Sequence, residues 1–179
     1  PILHNLSKNK GTNNSRNPQA LVLAPTRELA IQIGEEFRLY SKFIPLRHTV
    51  VFGGVKQKAQ VTALRRGIEI LVATPGRLLD LMRQRILKIG EVKYLVLDEA
   101  DRMLDMGFIR DVRKIIAALP KERQSLLFSA TMPSDVRNLS EELLQRPVRV
   151  EVTPQATPVE GIKQSVYHVN SGDKRALLE

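Results

Sequence analysis

Three carboxylates follow a short apolar run near the middle of the chain, and their types and spacing could do chemistry. Asp98, Glu99 and Asp101 come directly after the run Tyr94–Leu97. Carboxylates avoid the interior of a fold unless a cation or a hydrogen-bond donor pairs with them. A strand that ends in an acid suits Mg²⁺, which takes one or two carboxylates together with water and phosphate oxygens. Asp98 is therefore a candidate Mg²⁺ ligand, and Glu99 could orient or deprotonate an attacking water.

These acids also have an ordinary structural explanation, which is that they cap the helix that follows. Acids near a helix N-terminus are favourable because the helix dipole presents partial positive charge there. For Asp101 alone this explanation is a good one. For Asp98 and Glu99 together, at the end of a buried strand, a metal or another charged partner is the better interpretation.

Four further apolar runs also end in clusters of glycine, proline, hydroxyl or charged residues. The clusters are Pro25, Thr26 and Arg27 after residues 20–24; Gly53 and Gly54 after residues 48–52; Thr74, Pro75, Gly76 and Arg77 after residues 69–73; and Ser129, Ala130 and Thr131 after residues 125–128. Open α/β sheets bind their ligands outside the carboxyl ends of parallel strands. The five clusters therefore predict one shared site at one edge of a sheet.

The elements that would position this site alternate along the chain. Short apolar runs are separated by amphipathic segments of helical length, which indicates βαβ units, an α/β fold and a mainly parallel sheet of about six strands. A helical stretch is predicted from the acids to Leu119, and a last strand over residues 148–152. The segment 153–161 contains two prolines and no periodicity, and predicts a linker. We therefore expect a main domain over residues 1–152, a linker over 153–162 and the start of a second domain over 163–179, with a strand near residues 164–169.

The composition favours an anionic partner. Lys and Arg number 28 against 19 Asp and Glu, which gives a net charge of +9 and an isoelectric point near 10.1. Such a balance suits a polyanion such as nucleic acid, although a basic protein without one explains composition alone equally well. The chain has no Cys, which excludes disulfides and thiolate metal sites. No apolar run approaches the roughly 20 residues that a membrane span needs, so we expect a cytoplasmic protein.

The ordered motifs PTRELA, GG, TPGR, DEAD and SAT resemble the first RecA-like domain of a bacterial-type DEAD-box ATP-dependent RNA helicase. The flanking words ADRMLDMGF and LLFSATMP resemble the same family, and the resemblance runs from Pro1 to about Val152. It implies a three-layer RecA-like fold of the P-loop NTPase type. It also implies ATP and Mg²⁺ as cofactors, RNA as partner, and ATP hydrolysis coupled to local unwinding of RNA duplexes.

The resemblance also implies a role for each motif. Asp98 would act on Mg²⁺ through water and Glu99 on the hydrolytic water, while Asp101 would contact the motif Ser129, Ala130 and Thr131. The RNA backbone would lie along Pro25, Thr26, Arg27, Gly53, Gly54, Thr74, Pro75, Gly76 and Arg77. Ordinary explanations remain open: an N-cap for Thr26, a turn for the Gly pair, a strand-to-helix loop for TPGR and a small polar turn for SAT.

The expected RNA contacts are to phosphate and ribose. The chain has five Phe, three Tyr and no Trp, which is little material for base stacking. Binding should therefore be largely independent of base sequence and sensitive to salt, and a monomer is the simplest assembly. The RNA substrate and the cellular process do not follow from these residues.

One expected element is missing from the sequence. P-loop chemistry needs G-x-x-x-x-G-K-[ST], and the chain contains no GK dipeptide. The resemblance implies that the P-loop and the adenine-reading motif precede Pro1, so we expect an N-terminally truncated helicase domain that is inactive alone and less stable than an intact one. The alternatives are a truncated RNA-binding module without ATPase activity and a DNA helicase of the same superfamily.

Overall fold

The computed structural model describes residues 1–8, 16–152 and 165–178. The chain divides into two compact units, Pro1–Arg146 and Pro147–Glu179. The expected linker over residues 153–162 lies outside the described residues. Within the part that is described, no helix has the length and apolar character that a membrane span requires.

The first unit contains a parallel sheet, as the alternation of apolar runs and amphipathic segments predicted. Its strands are β1 (Ala20–Leu23), β2 (His48–Val51), β3 (Ile70–Ala73), β4 (Tyr94–Leu97) and β5 (Gln124–Leu127), in the order β2-β3-β1-β4-β5. The strands end level with one another, since Leu23 of β1 lies opposite both Ala73 of β3 and Leu97 of β4. All five strand-end motifs consequently meet at the same edge of the sheet.

Within the described residues of this unit, seven helices cover the two faces of the sheet. They are α1 (Ile2–Lys8), α2 (Arg27–Tyr40), α3 (Lys58–Arg65), α4 (Pro75–Arg83), α5 (Ala100–Asp105), α6 (Ile109–Ala117) and α7 (Ser134–Leu143). Side chains of α1 and α2 pack on one face, and those of α3 to α7 pack on the other. The arrangement is the three-layer α/β architecture that the sequence predicted.

The strands are apolar on both faces because helices cover both faces. In β1, Leu21 and Leu23 belong to the large cluster beneath α3 to α7, whereas Val22 belongs to the cluster beneath α2. Leu21 and Leu23 are fully buried. Burying each such leucine contributes roughly 1.5–3 kcal/mol, so β1 is a rigid base for the motif that follows it.

The helical stretch predicted to run from the DEAD motif to Leu119 is two helices. Gly107 has φ 76°, a left-handed conformation that ends α5 and lets the chain turn into α6. The turn allows Met103 of α5 and Val112 of α6 both to enter the large cluster, where both are fully buried. One straight helix could not direct both residues at the same core so effectively.

The prediction of a last strand over residues 148–152 is wrong. These residues belong to the second unit and pair with no strand of the described chain. Val148, Val150 and Val152 are at least 84% exposed, so no packing compensates for ordering a strand there. Residues 165–169 also form no strand, and Gln164 lies outside the described residues. The unit does contain a one-turn 3₁₀ helix, Ser171–Asp173, followed by α8 (Lys174–Leu178).

Candidate functional site

The order of the strands sorts the five motifs into two halves of one edge. The Gly pair, TPGR and PTR follow β2, β3 and β1, which are neighbours on one side. DEAD and SAT follow β4 and β5 on the other side. Strand β1 pairs with both β3 and β4, so the two halves meet between the ends of β1 and β4. Binding crevices in open α/β sheets lie at such a point, where successive connections turn to opposite sides.

Asp98 is a half-buried acid held at this point. Its backbone N–H donates to the carbonyl of Leu23 at 3.0 Å, which extends the pairing of β4 with β1 by one residue. Its Oδ1 accepts the N–H of Glu99 at 3.1 Å. Burial raises the pKa of Asp98, because the charged form is less well solvated there than in water. The site therefore holds a carboxylate that would gain from a cation.

Glu99 is placed by an unusual backbone conformation. Its φ of 51° and ψ of 55° are left-handed, which costs roughly 1–2 kcal/mol for a residue with a Cβ. The conformation lies between the end of β4 and the start of α5. The Glu99 side chain is 41% exposed and its Oε2 lies 3.5 Å from Nη1 of Arg102. A solvent-facing carboxylate with only a long ion pair remains available to a water molecule.

The residues present fit a Mg²⁺ ion held mainly by other ligands. Among the described residues, no group of three acids or histidines is close enough to form a cage. Asp98 supplies one partly buried carboxylate whose second oxygen accepts no hydrogen bond from the described chain. Because Mg²⁺ keeps several waters and takes phosphate oxygens, one protein carboxylate is a sufficient anchor.

Asp101 joins α5 to the SAT segment. Its Oδ2 accepts two hydrogen bonds from Thr131, one from the backbone N–H and one from the hydroxyl, both at 2.8 Å. In return, the N–H of Asp101 donates to Ser129 Oγ at 3.0 Å, and Ser129 Oγ donates to the Thr131 carbonyl at 2.8 Å. The sequence expectation that Asp101 contacts this motif agrees with these bonds.

The pKa of Asp101 is shifted in the direction opposite to that of Asp98. Burial alone raises the pKa of Asp101, but the hydrogen bonds, led by those from Thr131, outweigh burial and leave the pKa below its ordinary value. Asp101 is therefore ionised throughout the physiological range, and its charge holds the SAT segment against α5.

Arg27 and Phe52 connect two motifs of the other half. Thr26 is the N-cap of α2, and its hydroxyl oxygen accepts the N–H of Leu29 at 3.2 Å. Arg27, the next residue, is exposed and its guanidinium lies 4.9 Å from the centre of the Phe52 ring. This distance is within the range of a cation–π contact. Phe52 thereby steadies the direction of a cation that the sequence identified as a candidate phosphate contact.

Gln60 holds Arg77 in place. Like Phe52, it was not among the site residues predicted from the sequence. Arg77 donates through Nη1 to Gln60 Oε1 at 3.0 Å and through Nη2 to the Val55 carbonyl at 2.9 Å. The Gln60 side chain, which is almost fully buried, donates to the Phe52 carbonyl at 3.1 Å. The TPGR motif and the Gly pair are consequently one hydrogen-bonded structure. The signal for Gln60 was its place four residues before buried Leu64, where a polar residue needs a partner.

The remaining candidates divide into exposed and buried residues. Gly53, Gly54 and Gly76 are exposed, and no described atom lies within 4 Å of a Cβ built on any of them. Gly54 has φ 78°, so the turn explanation holds for it. By contrast, Pro25, Thr74 and Pro75 are buried. These three shape the loops, and the surface open to a ligand comes from their neighbours.

Comparison with known proteins gives one consistent family. The family model described as DEAD/DEAH box helicase matches residues 1–139. The chain is 45% identical over 179 residues to "ATP-dependent RNA helicase DeaD" of Buchnera aphidicola subsp. Schizaphis graminum, which covers 99% of the chain and 29% of that protein. It is 42% identical over 163 residues to "ATP-dependent RNA helicase RhlB" of Shewanella amazonensis, with 90% and 37% covered. It is 47% identical over 162 residues to "ATP-dependent RNA helicase dbp2" of Schizosaccharomyces pombe, with 90% and 30% covered. The chain thus spans less than two fifths of the length of these relatives.

Proposed function

The chain belongs to the DEAD/DEAH box helicase family, and on that basis we propose that it forms part of an ATP-dependent RNA helicase. In this role ATP hydrolysis is coupled to local unwinding of RNA duplexes through contacts with the RNA backbone. The names of the relatives support both ATP and RNA as ligands.

The observation that carries the proposal is the division of the sheet edge into an acidic half and a cationic half. Asp98, Glu99 and Asp101 lie after β4, whereas Arg27 and Arg77 lie in the first turns of α2 and α4, which follow β1 and β3. Phosphate groups of two different ligands can therefore bind at one edge of the sheet without competing for the same side chains. A site for a single phosphate ligand would leave one of the two halves without a role.

The acidic half is suited to hydrolysis. Asp98 would hold Mg²⁺, through water, and when bound the ion would supply charge neutralisation for the phosphate oxygens of ATP. Glu99 is partly exposed and would orient the attacking water or accept its proton. Asp101 positions the SAT segment through Thr131, so a change at the nucleotide would be felt there.

The cationic half is suited to a nucleic-acid backbone. Thr26 leaves the first turn of α2 with free N–H groups, and exposed Arg27 follows directly. Gly53, Gly54 and Gly76 leave open space where a phosphodiester chain can approach the protein backbone. Arg77 uses two of its donors inside the protein and keeps others for phosphate. Such contacts read no bases and predict little sequence preference.

The phosphate cradle is not supplied by this chain. Because the sequence contains no GK dipeptide, it has no P-loop, and we expect this chain by itself to show no measurable ATP hydrolysis. We expect the chain to act as a monomer.

The proposal is tested with the protein as its source organism produces it. We expect unwinding of a short RNA duplex that requires ATP and Mg²⁺, and we expect Glu99→Gln to lower ATP hydrolysis at least about 100-fold while RNA binding persists. Glu141→Gln is the matched control, since Glu141 is an exposed acid of α7 remote from the motifs. RNA binding without any ATP hydrolysis would favour the binding-module alternative, and unwinding of DNA alone would favour the DNA helicase.

A further inference from the structure

Helix α3 and the loops around it carry an uncompensated positive charge. From Phe37 to Ile68 the sequence contains no Asp or Glu. The same stretch contains Arg38, Lys42, Arg47, Lys56, Lys58, Arg65 and Arg66. In a chain with 19 acids and a net charge of +9, this stretch therefore holds seven cations and no acid. Such a concentration attracts polyanions.

The four of these cations that lie on or beside α3 have no acidic partner among the described residues. Arg47 is bound to Glu69 by a 3.0 Å ion pair. Within the described ranges, by contrast, Lys56, Lys58, Arg65 and Arg66 take part in no ion pair. All four side chains are exposed. Their charge therefore faces solvent, where an anionic ligand can reach it.

The surface of α3 has a shape as well as a charge. An open groove of about 560 Å³ runs along the helix, lined by Lys56, Lys58, Ala59, Thr62, Ala63 and Arg66. Ala59 and Ala63 are four residues apart and form a low floor on one helical face. Cationic side chains stand at both ends. No aromatic side chain lines the groove, so it offers nothing on which bases would stack.

The position of α3 connects the groove to the cationic half of the edge. The Gly pair follows β2, which is the outermost strand on that side, and α3 begins four residues after Gly54. Gln60 of α3 also holds Arg77 of the TPGR motif. A chain of phosphates that passes over the Gly pair and continues away from the acidic half therefore meets α3 next.

We propose that α3 is a second phosphate-binding surface, on which the RNA backbone continues after it leaves the Gly pair. The proposal rests on the proposed RNA helicase function and adds to it a contact outside the strand-end motifs. The helix is about 12 Å long, which is enough for a few backbone phosphates. The ligand is a ribose–phosphate backbone of any base sequence.

The test removes three cations, two of α3 and one at its C-cap, and compares two RNA lengths. We measure binding of a short and a long single-stranded homopolymer by fluorescence anisotropy over a range of salt, with the protein as its source produces it. For Lys58→Gln/Arg65→Gln/Arg66→Gln we expect the salt slope for the long RNA to fall by about 2, since each phosphate contact to a single strand contributes about 0.7. When salt rises from about 50 to about 200 mM, the factor by which affinity falls should then be about 20 times smaller for the variant than for the parent. The short RNA should be unaffected.

The matched control removes three lysines from the opposite edge of the sheet. Lys88, Lys93 and Lys121 are exposed and precede β4 or β5, so they lie towards the amino ends of the strands. Lys88→Gln/Lys93→Gln/Lys121→Gln changes the net charge equally. If this variant and the α3 variant have the same slope for long RNA, the proposal is overturned. The single variant Lys58→Gln, expected to lower the slope by about 0.7, serves if the triple variant does not fold.

A failure of the underlying function has a different signature. If the parent protein binds neither RNA, or if Arg27→Gln weakens neither complex, then the RNA assignment of the whole edge fails together with the α3 surface. If the parent binds both lengths, Arg27→Gln weakens both, and the α3 variant equals the control, only the α3 surface fails.

Discussion

The bond between Asp101 and Thr131 gives a sharp test of how the acidic half is held together. Thr131→Val removes the hydroxyl that donates to Asp101 Oδ2 and keeps the backbone N–H that donates to the same oxygen. Asp101→Asn removes the negative charge to which both donors are directed. Combining the two substitutions completes a double-mutant cycle that isolates their interaction.

The expected magnitudes follow from the hydrogen bonds. A hydrogen bond to a charged group contributes roughly 1.5–3 kcal/mol, and the exposure of this pair lowers the value to about 1 kcal/mol for each bond. We expect Thr131→Val to lower the free energy of unfolding by about 1 kcal/mol and Asp101→Asn by about 2 kcal/mol. The double variant should lose less than the combined loss, with a coupling of about 0.5–1 kcal/mol.

The assay is urea unfolding followed by far-ultraviolet circular dichroism. The pKa of Asp101 is lowered in the folded state, so the stability that its charge contributes is fully present above the ordinary aspartate pKa of about 3.9. This contribution is lost as pH falls through the lower folded value. Thr62→Val is the control, because that hydroxyl donates only to the carbonyl of Lys58 within its own helix. Additive losses at neutral pH would refute the reasoning.

Three further predictions concern packing, charge burial and the cationic half. A Cβ at Gly34 would overlap Val50 of β2, and we expect Gly34→Ala to destabilise by about 1 kcal/mol, since an overpacking cost of 1–3 kcal/mol exceeds the gain in helix propensity. Thermal unfolding measures this change, and adding Val50→Ala should remove the overlap. Burial raises the pKa of Asp98, so Asp98→Asn should raise the melting temperature at neutral pH without Mg²⁺ or nucleotide, and the gain should vanish below about pH 3.9. Gln60→Leu removes the acceptor of Arg77, and we expect about 5–10-fold weaker RNA binding in an anisotropy titration, to which Arg77→Leu adds little.

Each of these three has a result that contradicts it. A rise in melting temperature for Gly34→Ala would show that β2 moves aside without cost. A loss of stability for Asp98→Asn at neutral pH would show that a contact of the carboxylate outweighs its desolvation. Full additivity between Gln60→Leu and Arg77→Leu would show that the glutamine does not act through the arginine. Gly76→Ala provides a control for the first case, because no described atom lies near its missing Cβ.

Local signals were sufficient for the sheet and for the position of its motifs. Each strand is a short apolar run and ends at a residue that breaks the run, such as Pro25, Gly53 or Asp98. Parallel strands joined by helices bring such ends to one edge whatever the strand order. The edge could therefore be predicted before the order β2-β3-β1-β4-β5 was known.

Contacts between distant residues could not be predicted in the same way. The separation of acidic and cationic halves depends on strand order, which the apolar runs do not encode. The contacts of Arg27 with Phe52 and of Arg77 with Gln60 depend on side-chain directions in the folded state. Gly107 did carry a local signal for the break between α5 and α6, but helical periodicity on both sides of it concealed that signal.

Residues 148–152 show the reverse case, in which the sequence pattern of a strand is present but the strand does not form. Val148, Val150 and Val152 alternate with charged or polar residues, which is the pattern of a strand with one apolar face. A strand also needs a neighbour to bond with and a layer to cover it, and the described chain provides neither for these residues. Periodicity reports what a segment is able to form, whereas partners decide whether it forms.

The left-handed backbone of Glu99 has a consequence for how this sequence can change over evolutionary time. Glycine or asparagine at that position would adopt φ 51° more easily than glutamate. Selection for stability alone would therefore favour replacing Glu99. Under the proposed function, selection for ATP hydrolysis opposes that replacement. A descendant that had lost its catalytic task would therefore be expected to exchange Glu99 early, while its buried strands stayed unchanged. The identity of this one residue would distinguish a working copy of the fold from one retained only for binding.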